Sequence, residues 1–347
     1  MISNINYKKD AEKNDSSASL IKYVSVDVYN RIGFVHNKKD SNFSRMGEVT
    51  LTENLIYELH KFEDETKLKF FKIFESEDEK TNGADLILDF PIGDQYISIP
   101  IQAKKLTVYK NNKEDGSYKC FVHNNKNGLQ SELLKEYSKN LGSNLPLYLL
   151  YNYTSNSPNL KKSNDAEELF GCSVMNINTF TNNQKTVKFS DLHTETAIPF
   201  YKLFDFFDRI RKKGNSGPDG PDGSDGPKTP MVENFEILKE FYKLFGISLE
   251  KKDLEEIKLN DIAQIFTKEN KSYIINNGSK DETIFNPRYR IVLLSEPQSP
   301  KKDNNGYVNT GAPGKNLGDY EYTDLTKKDK EIDQIESKTE DAINYAF

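Results

Sequence analysis

Residues 83–90 read GADLILDF and residues 97–105 read ISIPIQAKK, two apolar runs separated by a short polar turn. Successive side chains of a β-strand point to opposite faces, so each run predicts one strand and the pair predicts a β-hairpin. On the second strand, Gln102 and Lys104 share one face. Asp85 stands at the start of the first strand. An acid, an amide and a lysine are therefore expected to converge on two adjacent strands.

This combination of side chains suits phosphodiester hydrolysis. Magnesium prefers oxygen ligands and keeps several of its waters, so a carboxylate with a neighbouring amide oxygen can hold it. A nearby lysine can position the attacking water or help to deprotonate it. The hairpin therefore predicts a site at which Asp85 and Gln102 bind the metal and Lys104 assists the water.

A further oxygen ligand is expected from an upstream helix. The segment after Thr50 has the apolar spacing of a helix, and Thr50 and Glu53 stand at the spacing of a capping box. Projected around a helix, Glu48 falls on the side of the apolar stripe, whereas Glu53 falls nearly opposite. Glu48 is therefore the preferred ligand, and Glu53 is the alternative.

These residues resemble the motifs of a known nuclease superfamily. Glu48 with Thr52, the run 79–85 and the triplet 102–104 resemble the PD-(D/E)xK superfamily. They are most similar to a bacterial family of unknown function that has a Glu-x-x-x-Gly-Ala-Asp pattern followed by Gln-Ala-Lys. The resemblance covers roughly residues 48–207 and does not extend beyond them.

The resemblance implies an α/β fold, with a restriction-endonuclease-like core of a mixed sheet flanked by helices. It implies metal-dependent cleavage of nucleic acid, DNA rather than RNA, in bacterial defence against phage. Glu48, Glu79 and Asp85 would be ligands of Mg²⁺ or Mn²⁺, with Glu77 as a rival of Glu79. Gln102 replaces the acidic residue of the general motif, and its uncharged amide makes the carboxylates more important for metal affinity.

Each candidate also has a structural interpretation. Asp85 could cap a strand edge, Gln102 could be a satisfied amide and Lys104 a solvated cation, because charged side chains are usually exposed. The acidic run that contains Glu79 is typical of a solvated surface. Gln130 is compatible either with a contact to phosphate or with an ordinary amide at the start of a helix.

Other catalytic sites have less support in the sequence. Cys120 and His123 form a Cys-x-x-His pair, but Cys172 is the only other cysteine, so a zinc site with four ligands lacks partners. The run His123-Asn124-Asn125 resembles the start of an HNH nuclease, but no second histidine follows at a suitable place. Serine, cysteine and histidine residues form no persuasive nucleophilic triad.

Composition constrains the partners and the compartment. The chain has 347 residues and a formal net charge of −6, which does not favour nucleic-acid binding. Charge distribution matters more than the total. Between the active-site strand and the next predicted strand, lysines outnumber acids, and Lys105 is expected to contact the substrate. The lysines of this stretch are Lys104, Lys105, Lys110, Lys113, Lys119, Lys126, Lys135 and Lys139. Abundant lysine is also typical of proteins encoded by AT-rich genomes.

Two cysteines, no signal peptide and no long apolar run predict a cytoplasmic protein with no membrane partner. Two functions other than DNA cleavage remain open. The protein could cleave RNA, or it could be a catalytically silent scaffold of a defence complex that has kept the fold.

Four regions are predicted along the chain. Residues 1–45 form an N-terminal extension, residues 46–213 the nuclease domain, residues 214–230 a Gly/Pro/Asp linker and residues 231–347 a smaller α+β accessory region. The accessory region is expected to recognise the target, to dock a partner protein or to form a homo-oligomer. Deleting it without changing substrate choice or binding would contradict this expectation.

Several elements outside the hairpin are also predicted. Helical spacing predicts helices at Phe200–Lys213, Val232–Phe245 and Leu254–Phe266. Apolar runs predict strands at Leu20–Val28 and at Tyr289–Leu294, and the second is a candidate to join the nuclease sheet.

Overall fold

The computed structural model describes residues 6–37, 46–75, 84–107, 116–119, 124–125, 128–154, 165–179, 186–193, 196–215, 230–261, 287–298, 301–302 and 308–309. Residues 1–299 form one compact unit and residues 300–347 form another. Several predicted features lie outside the described residues. They are Glu77, Glu79, Cys120, His123, most of the linker and the second half of the helix predicted at Leu254–Phe266.

The described residues of the first unit form seven α-helices. They are α1 (Tyr7–Asn14), α2 (Ser17–Asn37), α3 (Glu48–Thr66), α4 (Gln130–Leu141), α5 (Phe189–His193), α6 (Tyr201–Asn215) and α7 (Pro230–Lys243). Helices α6 and α7 confirm the two helices predicted on either side of the linker. Three short 3-10 segments lie at Glu167–Gly171, Ile177–Thr179 and Lys251–Glu255.

The strands of the first unit are numbered in chain order. They are β1 (Lys69–Glu75), β2 (Leu86–Ile92), β3 (Gln95–Thr107), β4 (Ser117–Lys119), β5 (Asn124–Asn125), β6 (Gly128–Leu129), β7 (Leu147–Tyr151), β8 (Cys172–Asn176), β9 (Thr186–Lys188), β10 (Ile198–Pro199), β11 (Asn260–Asp261) and β12 (Tyr289–Gln298). In the second unit, β13 (Lys301–Lys302) pairs antiparallel with β14 (Val308–Asn309).

A mixed sheet is the centre of the first unit. Its main path runs β1-β12-β2-β3-β7-β8-β10; off this path, β4 and β11 pair with β3, and β9 pairs with β4. Strand β3 is antiparallel to β2 and parallel to β7. The parallel step from β3 to β7 is made through α4, because a parallel connection needs a crossover. The chain is therefore a mixed α/β protein with helices on both faces of its sheet, as predicted.

The predicted hairpin is formed by β2 and β3. Its turn is shorter than the polar segment suggested, since only Gly93 and Asp94 lie between the strands. Gly93 has a φ of +62°, a left-handed conformation that glycine adopts without steric cost. Every residue of β2 is buried, which fits a central strand covered on both faces.

Two apolar clusters cover the two faces of the sheet. The first contains Ile99, Ile101 and Leu149 and packs against α2, α3, α6 and α7. The second contains Ile87 and Tyr148 and packs against α4 and α5. Side-chain alternation along β3 places Gln102 and Lys104 on the second face. Helix α3 therefore approaches β3 from the face opposite to these two side chains.

Strand β12 lies between β1 and β2, antiparallel to the first and parallel to the second. The strand predicted at Tyr289–Leu294 is thus confirmed, and it does join the central sheet. Arg290 of β12 forms a buried ion pair with Asp89 of β2, with nitrogen-oxygen distances of 2.5 and 2.7 Å. The segment that follows the linker consequently contributes a central strand to the first unit.

Two secondary-structure predictions are wrong. Leu20–Val28 belongs to helix α2, where Leu20, Val24 and Val28 are buried at helical spacing. The period of four residues outweighs the strand propensity of the β-branched side chains. The start of the helix predicted at Leu254–Phe266 is instead the end of a 3-10 segment, followed by β11.

The expected capping box of α3 is also absent. The helix begins at Glu48 with Gly47 as its N-cap residue, and Gly47 supplies no side-chain hydrogen bond. Thr50 therefore lies inside the first turn and cannot cap it. Of the helices that the structure describes, none has the length and apolar character needed to cross a membrane.

Candidate active site

The candidate site lies where β3 extends past the first residue of β2. Leu86 of β2 pairs with Ile101, whereas β3 continues to Thr107. Backbone N–H groups alternate between the two sides of a strand, so those of Ala103 and Lys105 point to the same side. Beyond Ile101, β2 supplies no ladder partner for them, and each is bound by a carboxylate instead.

Asp85 provides the first carboxylate. Its Oδ2 accepts a hydrogen bond from the N–H of Ala103 at 2.6 Å. Its own N–H donates to the carbonyl of Ile101 at 2.9 Å, and its carbonyl accepts from the N–H of Tyr289 at 3.3 Å. Continuing the register of Leu86 with Ile101, Asp85 lies opposite Gln102. Strands β3 and β12 thus hold Asp85 on both sides.

Glu48 provides the second carboxylate. It is the first residue of α3, and its Oε1 accepts the N–H of Lys105 at 3.0 Å. Glu53, the alternative candidate, forms an ion pair with Arg288 at 2.5 Å. Between these two acids, the structure brings Glu48 to the end of β3 and directs Glu53 elsewhere.

Lys104 is a buried cation. The residue is 5% exposed, and its Nζ donates to the amide oxygen of Gln130 at 3.2 Å. Nζ also lies 6.0 Å from the ring centroid of Tyr148. Lys104 forms no ion pair with any carboxylate of the described residues. A buried charge with only neutral partners is costly, so the position favours an anionic group nearby.

Gln102 contributes a buried oxygen to the same face. The residue is 1% exposed, and its Oε1 has no hydrogen-bond partner within the described part of the chain. A buried acceptor without a partner costs about 1–3 kcal/mol, so such groups deserve an explanation in terms of function. A metal ion or a water bound to it would satisfy this oxygen.

Lys105 and Gln130 were predicted to contact the substrate. Gln130 is the first residue of α4, as predicted, and its amide oxygen is engaged by Lys104. The Nζ of Lys105 donates to the carbonyl of Met46, just before α3. Lys105 thus ties β3 to the start of α3 through both its backbone and its side chain.

The donor set fits a hard divalent cation. Two carboxylates and one amide oxygen are oxygen ligands, which Mg²⁺ and Mn²⁺ prefer. No group of three or more His, Cys, Asp or Glu residues suited to metal binding occurs among the residues that the structure describes. The candidate oxygen ligands Glu48, Asp85 and Gln102 include two carboxylates. The other acidic candidates, Glu77 and Glu79, lie outside the residues that the structure describes.

Sequence reasoning missed one side chain near the site. Tyr151 ends β7, and its hydroxyl lies 2.9 Å from Oγ1 of Thr52 on α3. Burial raises the pKa of this phenol well above its usual value, and the negative charges of Asp85 and Glu48 contribute in the same direction. The only available signal was a tyrosine at the end of an apolar strand, which is too common a pattern to be informative.

Comparison with known proteins gives one match. Residues 18–264, more than half of the chain, match the model of a protein family described as "Family of unknown function (DUF6615)". No curated protein and no solved structure matches the chain.

Proposed function

The chain belongs to DUF6615, a family of unknown function, and we propose that it is a metal-dependent nuclease with a restriction-endonuclease-like fold. One observation carries the proposal. Asp85 and Glu48 bind the backbone N–H groups of Ala103 and Lys105, and Gln102 and Lys104 alternate with these residues at the same end of β3, beyond the start of β2. Local chain geometry does not require two acids, a buried amide and a buried lysine to lie at the same end of one strand.

The residues fit a division of roles. Glu48, Asp85 and Gln102 would hold Mg²⁺ or Mn²⁺, which supplies charge stabilisation of the phosphate and activation of water when bound. The ammonium group of Lys104 would orient the attacking water or bind a phosphate oxygen. Gln130 accepts a hydrogen bond from this ammonium group from the side of α4.

The buried ammonium group of Lys104 favours an anionic substrate. Among the described residues, Lys104 pairs only with the neutral amide of Gln130, and an anion bound beside it would offset the cost of burying its charge. A phosphodiester carries the required negative charge. If it bound beside two carboxylates that hold a metal ion, it would be placed for hydrolysis. DNA is the preferred substrate and bacterial anti-phage defence the preferred context, both through the resemblance to PD-(D/E)xK nucleases. The cytoplasm is the preferred location because the sequence has only two cysteines and no long apolar run.

The test is direct cleavage by purified protein. Wild type, Asp85→Asn, Lys104→Met and Asp94→Asn would be incubated with plasmid, linear duplex DNA, single-stranded DNA and RNA. Each reaction would contain Mg²⁺, Mn²⁺ or a chelator. Asp94 is the matched control, because it is an exposed acid in the turn at the opposite end of the same hairpin. Thermal unfolding would show that all four proteins are folded.

Cleavage by wild type and Asp94→Asn, lost in the other two variants and with chelator, supports the nuclease and identifies its substrate. If only RNA were cleaved, the substrate would be RNA and not DNA. Absence of cleavage by folded wild-type protein under every condition would contradict a self-sufficient nuclease. Partner binding that is unchanged in Asp85→Asn and Lys104→Met would then favour a scaffold.

A further inference from the structure

A chain of hydrogen bonds connects the core of the sheet to Glu48. The Oγ1 of Thr52 donates to the backbone carbonyl of Glu48 at 3.1 Å, one turn earlier in α3. The same Oγ1 lies 2.9 Å from the hydroxyl of Tyr151. Since Thr52 has a single hydroxyl proton and donates it to Glu48, the hydroxyl of Tyr151 must be the donor to Thr52.

Tyr151 is suited to the donor role because it keeps its proton. Its side chain is completely buried, and burial is the largest cause of its raised pKa. A phenol with a raised pKa stays neutral at physiological pH and donates throughout that range. The position also places its ring within the apolar cluster on the face covered by α3.

Tyr151 is also connected to Glu48 by a second route, through the neighbouring strand β3. Tyr151 of β7 is the register partner of Lys105 on β3. Lys105 donates its backbone N–H to the carboxylate of Glu48. The first turn of α3 is therefore attached to two adjacent strands, through the carboxylate of Glu48 on one side and through Thr52 on the other.

This attachment compensates for a weak helix start. Gly47 provides no capping side chain, and helix ends without caps tend to fray. Glu48 is the first helical residue, so fraying would displace the carboxylate directly. Only tertiary contacts can prevent this displacement, and Thr52 is the residue of the first two turns that bonds both to Glu48 and to the sheet.

We propose that Thr52 and Tyr151 are positioning residues that fix the direction of the Glu48 carboxylate. The role of Glu48 as a metal ligand rests on the proposed nuclease function. The attachment of Glu48 to Lys105 does not depend on that function, so the two ideas can be tested separately.

The variants remove single hydroxyl groups. Tyr151→Phe and Thr52→Val delete the two donors while keeping side-chain shape, and Thr52→Ser restores a hydroxyl. Thr66→Val is the control for Thr52, because Thr66 makes the same bond to the carbonyl four residues earlier at the other end of α3. Tyr118→Phe is the control for Tyr151, because it removes another fully buried hydroxyl, which is bonded to Asn152.

The first readout is the Mn²⁺ concentration that gives half-maximal cleavage. Tyr151→Phe and Thr52→Val should raise it roughly tenfold, the usual effect of removing a group that orients a metal ligand. Thr52→Ser should return it towards the wild-type value, and the two controls should leave it unchanged. A general loss of stability would instead affect Tyr118→Phe and Tyr151→Phe alike.

The second readout is hydrogen exchange of the Lys105 amide, which needs no activity. Faster exchange of this amide in Tyr151→Phe and Thr52→Val, but not in the controls, supports the positioning role even if wild type cleaves nothing. Wild-type exchange at Lys105 in both variants overturns the proposal. Unchanged Mn²⁺ dependence in an active enzyme also overturns it, whereas an inactive wild type contradicts only the nuclease function.

Discussion

The carboxylate of Glu48 accepts the backbone N–H of Lys105 at 3.0 Å, so the first residue of α3 is bonded to the last third of β3. An acid five residues later, Glu53, is bound instead to Arg288 beside β12. Glu48 and Glu53, the two candidate ligands on α3, therefore have different partners.

Exchange of each acid for its amide separates these roles. Glu48→Gln should lower metal-dependent cleavage by about 100-fold or more, because it removes a charged ligand. Glu53→Gln should leave cleavage unchanged and cost at most about 1 kcal/mol of unfolding free energy, since its ion pair is partly exposed. Cleavage rates and urea denaturation of both variants measure the difference. Equal loss of cleavage in the two would contradict the assignment of Glu48.

The buried ion pair between Asp89 and Arg290 should be essential to the first unit. Arg290→Met leaves the carboxylate of Asp89, which is 0% exposed, without its bidentate partner. Breaking such a pair is expected to cost about 3–5 kcal/mol, measured by urea denaturation. The double variant Asp89→Leu/Arg290→Met should recover most of this loss. A single variant as stable as wild type would show that the pair contributes little.

Truncation after β12 should leave the first unit folded, whereas truncation before β12 should prevent folding. A chain that ends at Ser299 keeps the whole first unit and should unfold in one cooperative transition. A chain that ends at Asn286 lacks β12, which separates β1 from β2, and should not fold. Calorimetry of the two truncated proteins provides the measurement. Deletion of residues 231–347 also removes β12, so Ser299 is the better end point for testing an accessory role.

Gly171 should tolerate no side chain. A methyl group at this position would overlap with the carbonyl oxygen of Ser25 on α2. Backbone cannot yield as a flexible side chain can, so Gly171→Ala should cost about 3 kcal/mol. Gly47→Ala is the control, because its nearest new contact is Thr50 Oγ1 at 4.0 Å. Melting temperatures of the two variants should differ clearly, and similar values would contradict the close approach of α2 to the 3-10 segment.

His193 should make stability depend on pH. Burial lowers the pKa of its imidazole to about 4, against 6.5 in the unfolded chain. Between these values the unfolded state binds more protons, so stability is complete above pH 6.5 and falls as the pH drops towards 4. The loss is on the order of 3 kcal/mol. The neutral ring is held by the carbonyl of Phe189 and the amide of Asn152.

Urea denaturation of wild type and His193→Gln between pH 7 and pH 4 measures this contribution. The variant should be less stable at pH 7 but should show a shallower decline with acid. His60→Gln serves as the control on an exposed face of α3 and should keep the wild-type slope. An identical slope in wild type and His193→Gln would show that other groups govern the acid transition.

Local periodicity determined the parts of this protein that depend on neighbours in sequence. Alternation along residues 97–105 placed Gln102 and Lys104 on one face, and helical spacing located α6 and α7. These predictions succeeded because the period of a strand or helix is a property of the chain itself. The identity of Asp85, Gln102 and Lys104 as a metal site stays a prediction.

Tertiary structure alone decided the contacts between distant segments. No local pattern indicates that β12 is inserted between β1 and β2, because strand pairing across more than 200 residues depends on the burial available in the whole sheet. The same holds for the bond of Glu48 to the backbone of Lys105 and for the contact of Tyr151 with Thr52. A sequence specifies which side chains are present and their local direction, whereas only packing brings them within bonding distance.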